Sequence, residues 1–123
     1  MQQDMLCVAR SHRNIVLLSP TGSGKTLAYM LPLVECLRDL GSSACVEPEV
    51  LVLVPSRELA IQTGEVARKL NQEVRAYACY GGRAAMDEHR AMRGLMPRMI
   101  VGTPGQVVGP TSAECREATT PMR

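Results

Sequence analysis

Four short apolar runs recur along the chain, and each is bounded by glycine, proline or polar residues. They are Ile15–Leu18, Val50–Pro55, Val74–Tyr80 and Met99–Gly102. Short, continuous apolar runs rich in β-branched residues are typical of strands that are buried on both faces of a parallel sheet. We therefore predict four buried strands, the first of them at Ile15–Leu18.

The segments between these runs carry apolar residues at helical spacing. Three helices are predicted, over Lys25–Leu40, from Ser56 to about Leu70 and over Arg83–Arg93. Ser56 can cap the second helix, Gly41 can end the first, and Pro32 should loosen the first locally. Strands alternating with helices predict an α/β fold, a parallel sheet with helices on its faces.

Composition narrows the class of protein only slightly. The chain has 123 residues, 46% of them apolar, which suits one folded domain. A net charge of +2 is too small to indicate nucleic-acid binding by itself. Five cysteines without a C-x-x-C pair are typical of free thiols in a reducing compartment. Because the cysteines and histidines lack metal-ligand spacing, we expect no metal-ligand cluster. No apolar run is long enough to span a membrane and no signal peptide is evident, so we expect a soluble, cytoplasmic protein.

The stretch after the first run has the layout of a phosphate-binding loop. The strict pattern is G-x-x-x-x-G-K-[ST], and Gly24-Lys25-Thr26 fit it, whereas Ser19 replaces the first glycine. Glycines let backbone N–H groups turn toward phosphate oxygens, and the following helix adds its positive end. Lys25 would reach the outer phosphates and Thr26 would hold Mg²⁺. The predicted cofactor-binding residues of the loop are Ser19, Thr21, Gly22, Ser23, Gly24, Lys25 and Thr26. The plain alternative is a glycine- and serine-rich turn that binds nothing.

The serine at position 19 also points to a particular family. The motif "SPTGSGKT" resembles the first motif of the DEAD-box RNA helicases, in which a small residue often replaces the first glycine. Three later motifs resemble that family in the same order. They are "PSRELA" at 55–60, the pair Gly81-Gly82, and "TPGQ" at 103–106, where Gln106 replaces the usual arginine. The resemblance covers residues 2 to about 106, the N-terminal part of a RecA-like ATP-binding domain.

This resemblance implies cofactors, a partner and site residues. The cofactors would be ATP and Mg²⁺, with Gln2 matching the glutamine that reads adenine, and with Lys25 and Thr26 as catalytic residues. The partner would be RNA, bound along its backbone without sequence preference. The implied RNA-contacting residues are Pro55, Arg57, Gly81, Gly82, Thr103 and Gly105. Gln106 cannot supply the charge of the arginine it replaces.

The acidic motif that names the family is not matched. "MDEHR", at 86–90, offers Asp87 and Glu88, but it lies on a predicted exposed helix and precedes "TPGQ", so we reject it. No acidic motif, S-A-T motif or second helicase domain follows Gln106, and we expect residues 107–123 to form a divergent, disordered tail. We therefore expect the front fragment of an RNA-dependent ATPase and helicase, without ATP turnover by itself. The alternatives are a non-enzymatic truncated product that binds nucleic acid or a partner, and a small phosphate-loop kinase.

Overall fold

A computed structural model describes residues 7–9, 11, 14–41, 48–82 and 85–108. Residues 7–9 are helical, as are residues 104–108. Between them lie helices α1 (Lys25–Asp39), α2 (Arg57–Leu70) and α3 (Ala85–Leu95), a 3₁₀ turn (Gln72–Val74), and strands β1 (Val50–Leu53), β2 (Ala76–Cys79) and β3 (Met99–Gly102). In this part of the chain no helix is long and apolar enough to cross a membrane.

The three strands form one parallel sheet in the order β1-β3-β2. Both Val50 and Ala76 pair with Met99, so all three strands start and end at the same level. The prediction of a parallel α/β sheet is confirmed. Because parallel strands in register end together, the loops that follow them share one edge of the sheet.

The central strand β3 separates two apolar clusters. Met99 and Val101 join the larger cluster, with Met30, Val34 and Leu37 of α1 and Ala60 and Ala67 of α2. Ile100 belongs to a smaller cluster with Cys79, Met92 and Val107. All four residues of β3 are buried, as the alternation of side chains across a sheet with helices on both faces requires.

The predicted strand at Ile15–Leu18 is wrong. These residues are not in a strand, and Val16 and Leu18 are 87% and 90% exposed. The physical reason is pairing, since a strand needs a hydrogen-bonded neighbour and the described strands bond only to one another. An apolar run is therefore not sufficient to make a strand.

Several predicted boundaries also change. Val74 belongs to the 3₁₀ turn, and Arg75 follows it with φ +48°, so β2 begins only at Ala76. Helix α1 continues through Pro32 to Asp39, and Gly41, with φ +73°, follows its end as predicted.

The helical turn at 104–108 crosses the predicted boundary of the tail at residue 107. Val107 is 7% exposed and packs against the smaller cluster, so it is not part of a disordered tail. Its apolar side chain fills the space above Gly102, where an added Cβ would lie only 2.7 Å from Val107 Cγ2. Residues 109–123 lie outside the described residues, as does Gln2.

Candidate functional site

The loop before α1 takes the conformation that its glycines permit. Gly22 and Gly24 have φ of +75° and +82°, values that residues with a Cβ rarely adopt. Gly24 is the N-cap residue of α1, and no side chain caps this end of the helix. The first N–H groups of a helix have no partner within it, and the helix dipole places positive charge there. The loop therefore offers an anion both backbone donors and a favourable field.

Lys25 is held inside this loop. Its Nζ donates hydrogen bonds to the backbone oxygens of Ser19 and Pro20, both at 2.6 Å. The Ser23 hydroxyl donates to the same Pro20 oxygen at 2.7 Å and is hydrogen-bonded to the Ser19 hydroxyl. Ser19 thus contributes a hydroxyl that a glycine at this position would lack. The contacts keep the ammonium group of Lys25 at the loop, where it could instead meet a phosphate.

A cleft of about 590 Å³ adjoins the loop. Lys25 and Thr26 line it, and most of its remaining lining is apolar, including Ile15, Leu17 and Leu59. Thr26 is half-buried in the first turn of α1, where its hydroxyl could ligate Mg²⁺ beside a bound phosphate. No group of three or more His, Cys, Asp or Glu within the described ranges could hold a metal ion.

The three predicted RNA-contacting motifs converge at the carboxyl edge of the sheet. Arg57 follows β1, Gly81 and Gly82 follow β2, and Thr103 follows β3. A Cβ built on Gly82 would lie 2.9 Å from Arg57 Nη2, and one built on Gly81 would lie 2.8 Å from the Gln106 side chain. Residues from three separate segments thus lie close together, which the shared level of the strand ends favours.

The two glycines allow this convergence for two reasons. Gly81 and Gly82 have φ of +77° and +92°, in the region that disfavours other residues. Their missing side chains also leave the space that Arg57 and Gln106 occupy. Gly105, by contrast, has no atom of the described residues beyond its chain neighbours within 4 Å of a built Cβ, so in this part of the chain its surface is open. The positive φ values and the occupied space explain why glycines stand at positions 81 and 82, whereas the open surface at Gly105 suits the close approach of a phosphate backbone.

The start of α2 sets the position of Arg57. Ser56 is the N-cap residue, and its hydroxyl accepts a hydrogen bond from Leu59 N at 3.2 Å, as predicted. Arg57, in the first turn, is exposed, and its guanidinium lies 5.1 Å from the centroid of the Tyr80 ring. Leu59, two residues later, lines the cleft beside Lys25. Helix α2 therefore borders both candidate sites.

Sequence reasoning missed two residues at this edge. The apolar pattern makes Tyr80 only the end of a strand, although an aromatic residue directly before two glycines could have indicated a ring at the edge of the sheet. The same pattern predicts Glu88 on an exposed helix, but Glu88 is 6% exposed. The helix prediction is confirmed and the exposure is wrong, because Glu88 and Met92, one turn apart, both face inward. The available sequence signal was the apolar Met92, one turn after Glu88, which indicates that this face of the helix is directed inward.

Glu88 changes the chemistry of a neighbouring thiol. Burial of the Cys79 thiol, together with the charge and hydrogen bonding of Glu88, raises its pKa from 9.0 to about 12. The Cys79 Sγ also donates to the Gln106 backbone oxygen at 3.4 Å. The thiol is therefore protonated and unreactive at neutral pH. Cys79 therefore supports the Gln106 turn through this hydrogen bond.

Taken together, the parallel sheet, the glycine loop at a helix N-terminus and the loops at the carboxyl edge define a RecA-like α/β domain. The family model described as DEAD/DEAH box helicase matches residues 1–120. The chain belongs to this family, and it corresponds to an N-terminal part of the helicase domain.

Curated relatives agree with this assignment. The chain is 40% identical over 98 residues to "ATP-dependent RNA helicase dbp3" of Schizosaccharomyces pombe, covering 78% of this chain and 16% of the relative. It is 37% identical over 99 residues to "ATP-dependent RNA helicase DeaD" of Escherichia coli K12, covering 78% of this chain and 15% of that protein. The chain thus spans about a sixth of the length of these relatives.

Solved structures share the fold. A hypothetical ATP-dependent RNA helicase from Sulfolobus tokodaii matches with a TM-score of 0.72 and 28% identity, over 92% of this chain and 31% of that chain. The yeast DEAD-box splicing factor Prp28 matches with a TM-score of 0.76 and 20% identity, over 92% of this chain and 28% of its own. Mss116p, bound to single-stranded RNA and AMP-PNP, matches with a TM-score of 0.66 and 23% identity, over 73% of this chain and 19% of its own.

Proposed function

We propose that this chain forms the nucleotide-binding and RNA-contacting front part of a DEAD-box ATP-dependent RNA helicase. The main observation that supports the proposal is that Arg57, the two glycines and Gln106 lie close together at one edge of the sheet. Helix α2 links that edge to the cleft beside Lys25. Relatives named as ATP-dependent RNA helicases, and the fold shared with Mss116p bound to RNA and AMP-PNP, support the assignment.

ATP would bind through the loop from Ser19 to Thr26. The phosphates would lie against the N–H groups at the start of α1, and Lys25 would exchange its contacts with the Ser19 and Pro20 oxygens for the outer phosphates. Thr26 would hold Mg²⁺, which neutralises phosphate charge when it is bound. Gln2 would read the adenine.

RNA would bind along the carboxyl edge of the sheet. Arg57 would pair with a phosphate, and Gly81, Gly82 and Gly105 would let the RNA backbone approach the main chain. Pro55 and Thr103 would complete the contact surface. Because these contacts reach phosphate and sugar only, binding would not depend on the RNA sequence.

We also propose that the chain by itself does not turn ATP over. Phosphoryl transfer depends on positioning and on stabilising charge, and it needs a group that orients the attacking water. In the described part of the chain, no carboxylate lines the cleft beside Thr26. ATP should therefore bind without release of phosphate.

Titration of the full chain with ATP, with and without single-stranded RNA, tests the proposal. Lys25→Ala should abolish ATP binding, because it removes the charge that meets the outer phosphates. Lys69→Ala is a matched control, since Lys69 is the only other lysine and is exposed in the last turn of α2. Unchanged ATP affinity in Lys25→Ala would contradict the phosphate-loop assignment.

Other outcomes would identify the alternatives. Equal affinity for ATP and GTP would contradict the adenine-reading role of Gln2. Phosphorylation of a small metabolite would favour a phosphate-loop kinase. Absence of nucleotide binding would favour a non-enzymatic product, and Lys25-dependent phosphate release would show that the chain is active alone.

A further inference from the structure

Arg57 occupies a fixed place although it is an exposed residue. Its guanidinium lies 5.1 Å from the Tyr80 ring centroid, and Nη2 lies 2.9 Å from the position that a Gly82 Cβ would take. An exposed arginine ordinarily samples many rotamers, and binding a phosphate would require it to give up that freedom. The ring and the glycine together confine the guanidinium to one region of the surface.

The Tyr80 ring is itself well anchored. Tyr80 directly follows β2, is half-buried and packs against the larger apolar cluster. The core therefore fixes one part of the ring, and the face near Arg57 keeps a constant orientation. Gly82 leaves open the space that the guanidinium needs.

We infer that Tyr80 is a positioning residue, which holds the Arg57 guanidinium in place for a phosphate of the RNA backbone. The inference rests on the proposed RNA-binding function and adds to it a residue outside the four motifs. A guanidinium stacked on an aromatic face keeps its outer N–H groups free to form a forked contact with phosphate oxygens. The interaction needs the ring face, not the hydroxyl, so phenylalanine should replace tyrosine.

Binding of the full chain to a fluorescently labelled single-stranded oligouridine measures the effect. Tyr80→Leu should weaken binding about two- to five-fold, the range expected for an exposed cation–π contact, whereas Tyr80→Phe should bind like the wild type. In the Arg57→Ala background, Tyr80→Leu should have no further effect. Arg57→Ala should also reduce the slope of log affinity against log salt by about 0.7.

Tyr77→Leu is the matched control. Tyr77 lies on β2, is half-buried and lines the same cavity as Tyr80, but it packs against the smaller cluster. Loss of packing alone should affect both variants, whereas loss of arginine positioning should affect only Tyr80→Leu. If Tyr80→Leu does not fold, Tyr80→Met provides a second ring-free variant with a side chain that fills irregular space.

A second readout does not depend on RNA. The δ-methylene protons of Arg57 should show an upfield ring-current shift by NMR in the wild type, Tyr80→Phe and Tyr77→Leu, and this shift should vanish in Tyr80→Leu. An Arg57 signal that does not respond to Tyr80→Leu would overturn the inference, as would additive effects of Tyr80→Leu and Arg57→Ala on RNA affinity. A ring-current shift without any RNA binding would overturn the proposed function and, with it, the role of Tyr80 in RNA recognition.

Discussion

The sheet half of the molecule, residues 48–82 and 85–108, differs from the loop half, residues 14–41. In the sheet half, β3 is paired on both sides and all four of its residues are buried. In the loop half, Ile15–Leu18 is equally apolar, yet it forms no strand and Val16 and Leu18 are almost fully exposed. The difference shows that backbone pairing partners, as well as apolar side chains, decide whether a run becomes a strand.

The polar groups of the two halves differ in the same way. In the sheet half, Arg98 donates two hydrogen bonds to Glu49 at 3.0 Å, in a pair whose side chains are 7% and 16% exposed. In the loop half, Lys25 Nζ donates to the nearby backbone oxygens of Ser19 and Pro20, which a phosphate could replace. The first arrangement stabilises the fold, and the second leaves a group available for a ligand.

The largest expected contrast comes from truncating one apolar residue in each half. Met99→Ala should lower the free energy of unfolding by about 2–5 kcal/mol, because Met99 is fully buried and its loss leaves a cavity. Leu18→Ala should change it by less than about 0.5 kcal/mol, because Leu18 is exposed. Urea unfolding of both variants measures the difference. An equal cost for the two would show that Ile15–Leu18 is packed in solution.

A smaller contrast comes from removing one carboxylate in each half. Glu49→Gln should cost about 2–3 kcal/mol, because a neutral amide replaces the carboxylate that accepts two hydrogen bonds from the buried Arg98 guanidinium. Asp39→Asn is the control, since Asp39 lies 3.9 Å from Arg38 with both side chains 63% exposed. Exposed pairs contribute little, so this variant should unfold like the wild type. A similar cost for both would mean that the Glu49–Arg98 pair is solvated in solution.

The last contrast is a pH dependence that the buried Cys79 thiol adds to the sheet half. Because the folded-state pKa of Cys79 is raised from 9.0 to about 12, the folded chain keeps a proton that the unfolded chain releases. This stabilisation is complete below pH 9 and is lost as pH rises toward about 12. The contribution should fall by up to about 1.4 kcal/mol per pH unit within that window.

Urea unfolding between pH 8 and pH 11 measures this slope. Cys79→Ala should flatten it, because the variant has no thiol to hold the proton. Cys36→Ala is the matched control, since Cys36 is an exposed free cysteine on α1 and meets water in both states. An identical slope in the wild type and Cys79→Ala would contradict the burial of the Cys79 thiol.

Local sequence signals predicted most of the elements correctly. The Ser56 cap and the end of α1 before Gly41 follow from chemistry within a few residues, and so does the turn at Gly81-Gly82. The order of the motifs along the chain likewise identified the residues that lie close together at the sheet edge. Tyr80 and Glu88 were missed because their roles depend on which residues pack beside them, and those neighbours are distant in sequence.

The sequence by itself determined the α/β class, the parallel strands and the helix caps, because apolar periodicity and backbone preferences act over a few residues. It also determined the family, through four motifs in order. Only the tertiary structure decided that Ile15–Leu18 is unpaired in the described chain, that Glu88 is buried and that Arg57 lies over Tyr80. Each of these depends on contacts between segments far apart in sequence, whose geometry is set by strand order and register.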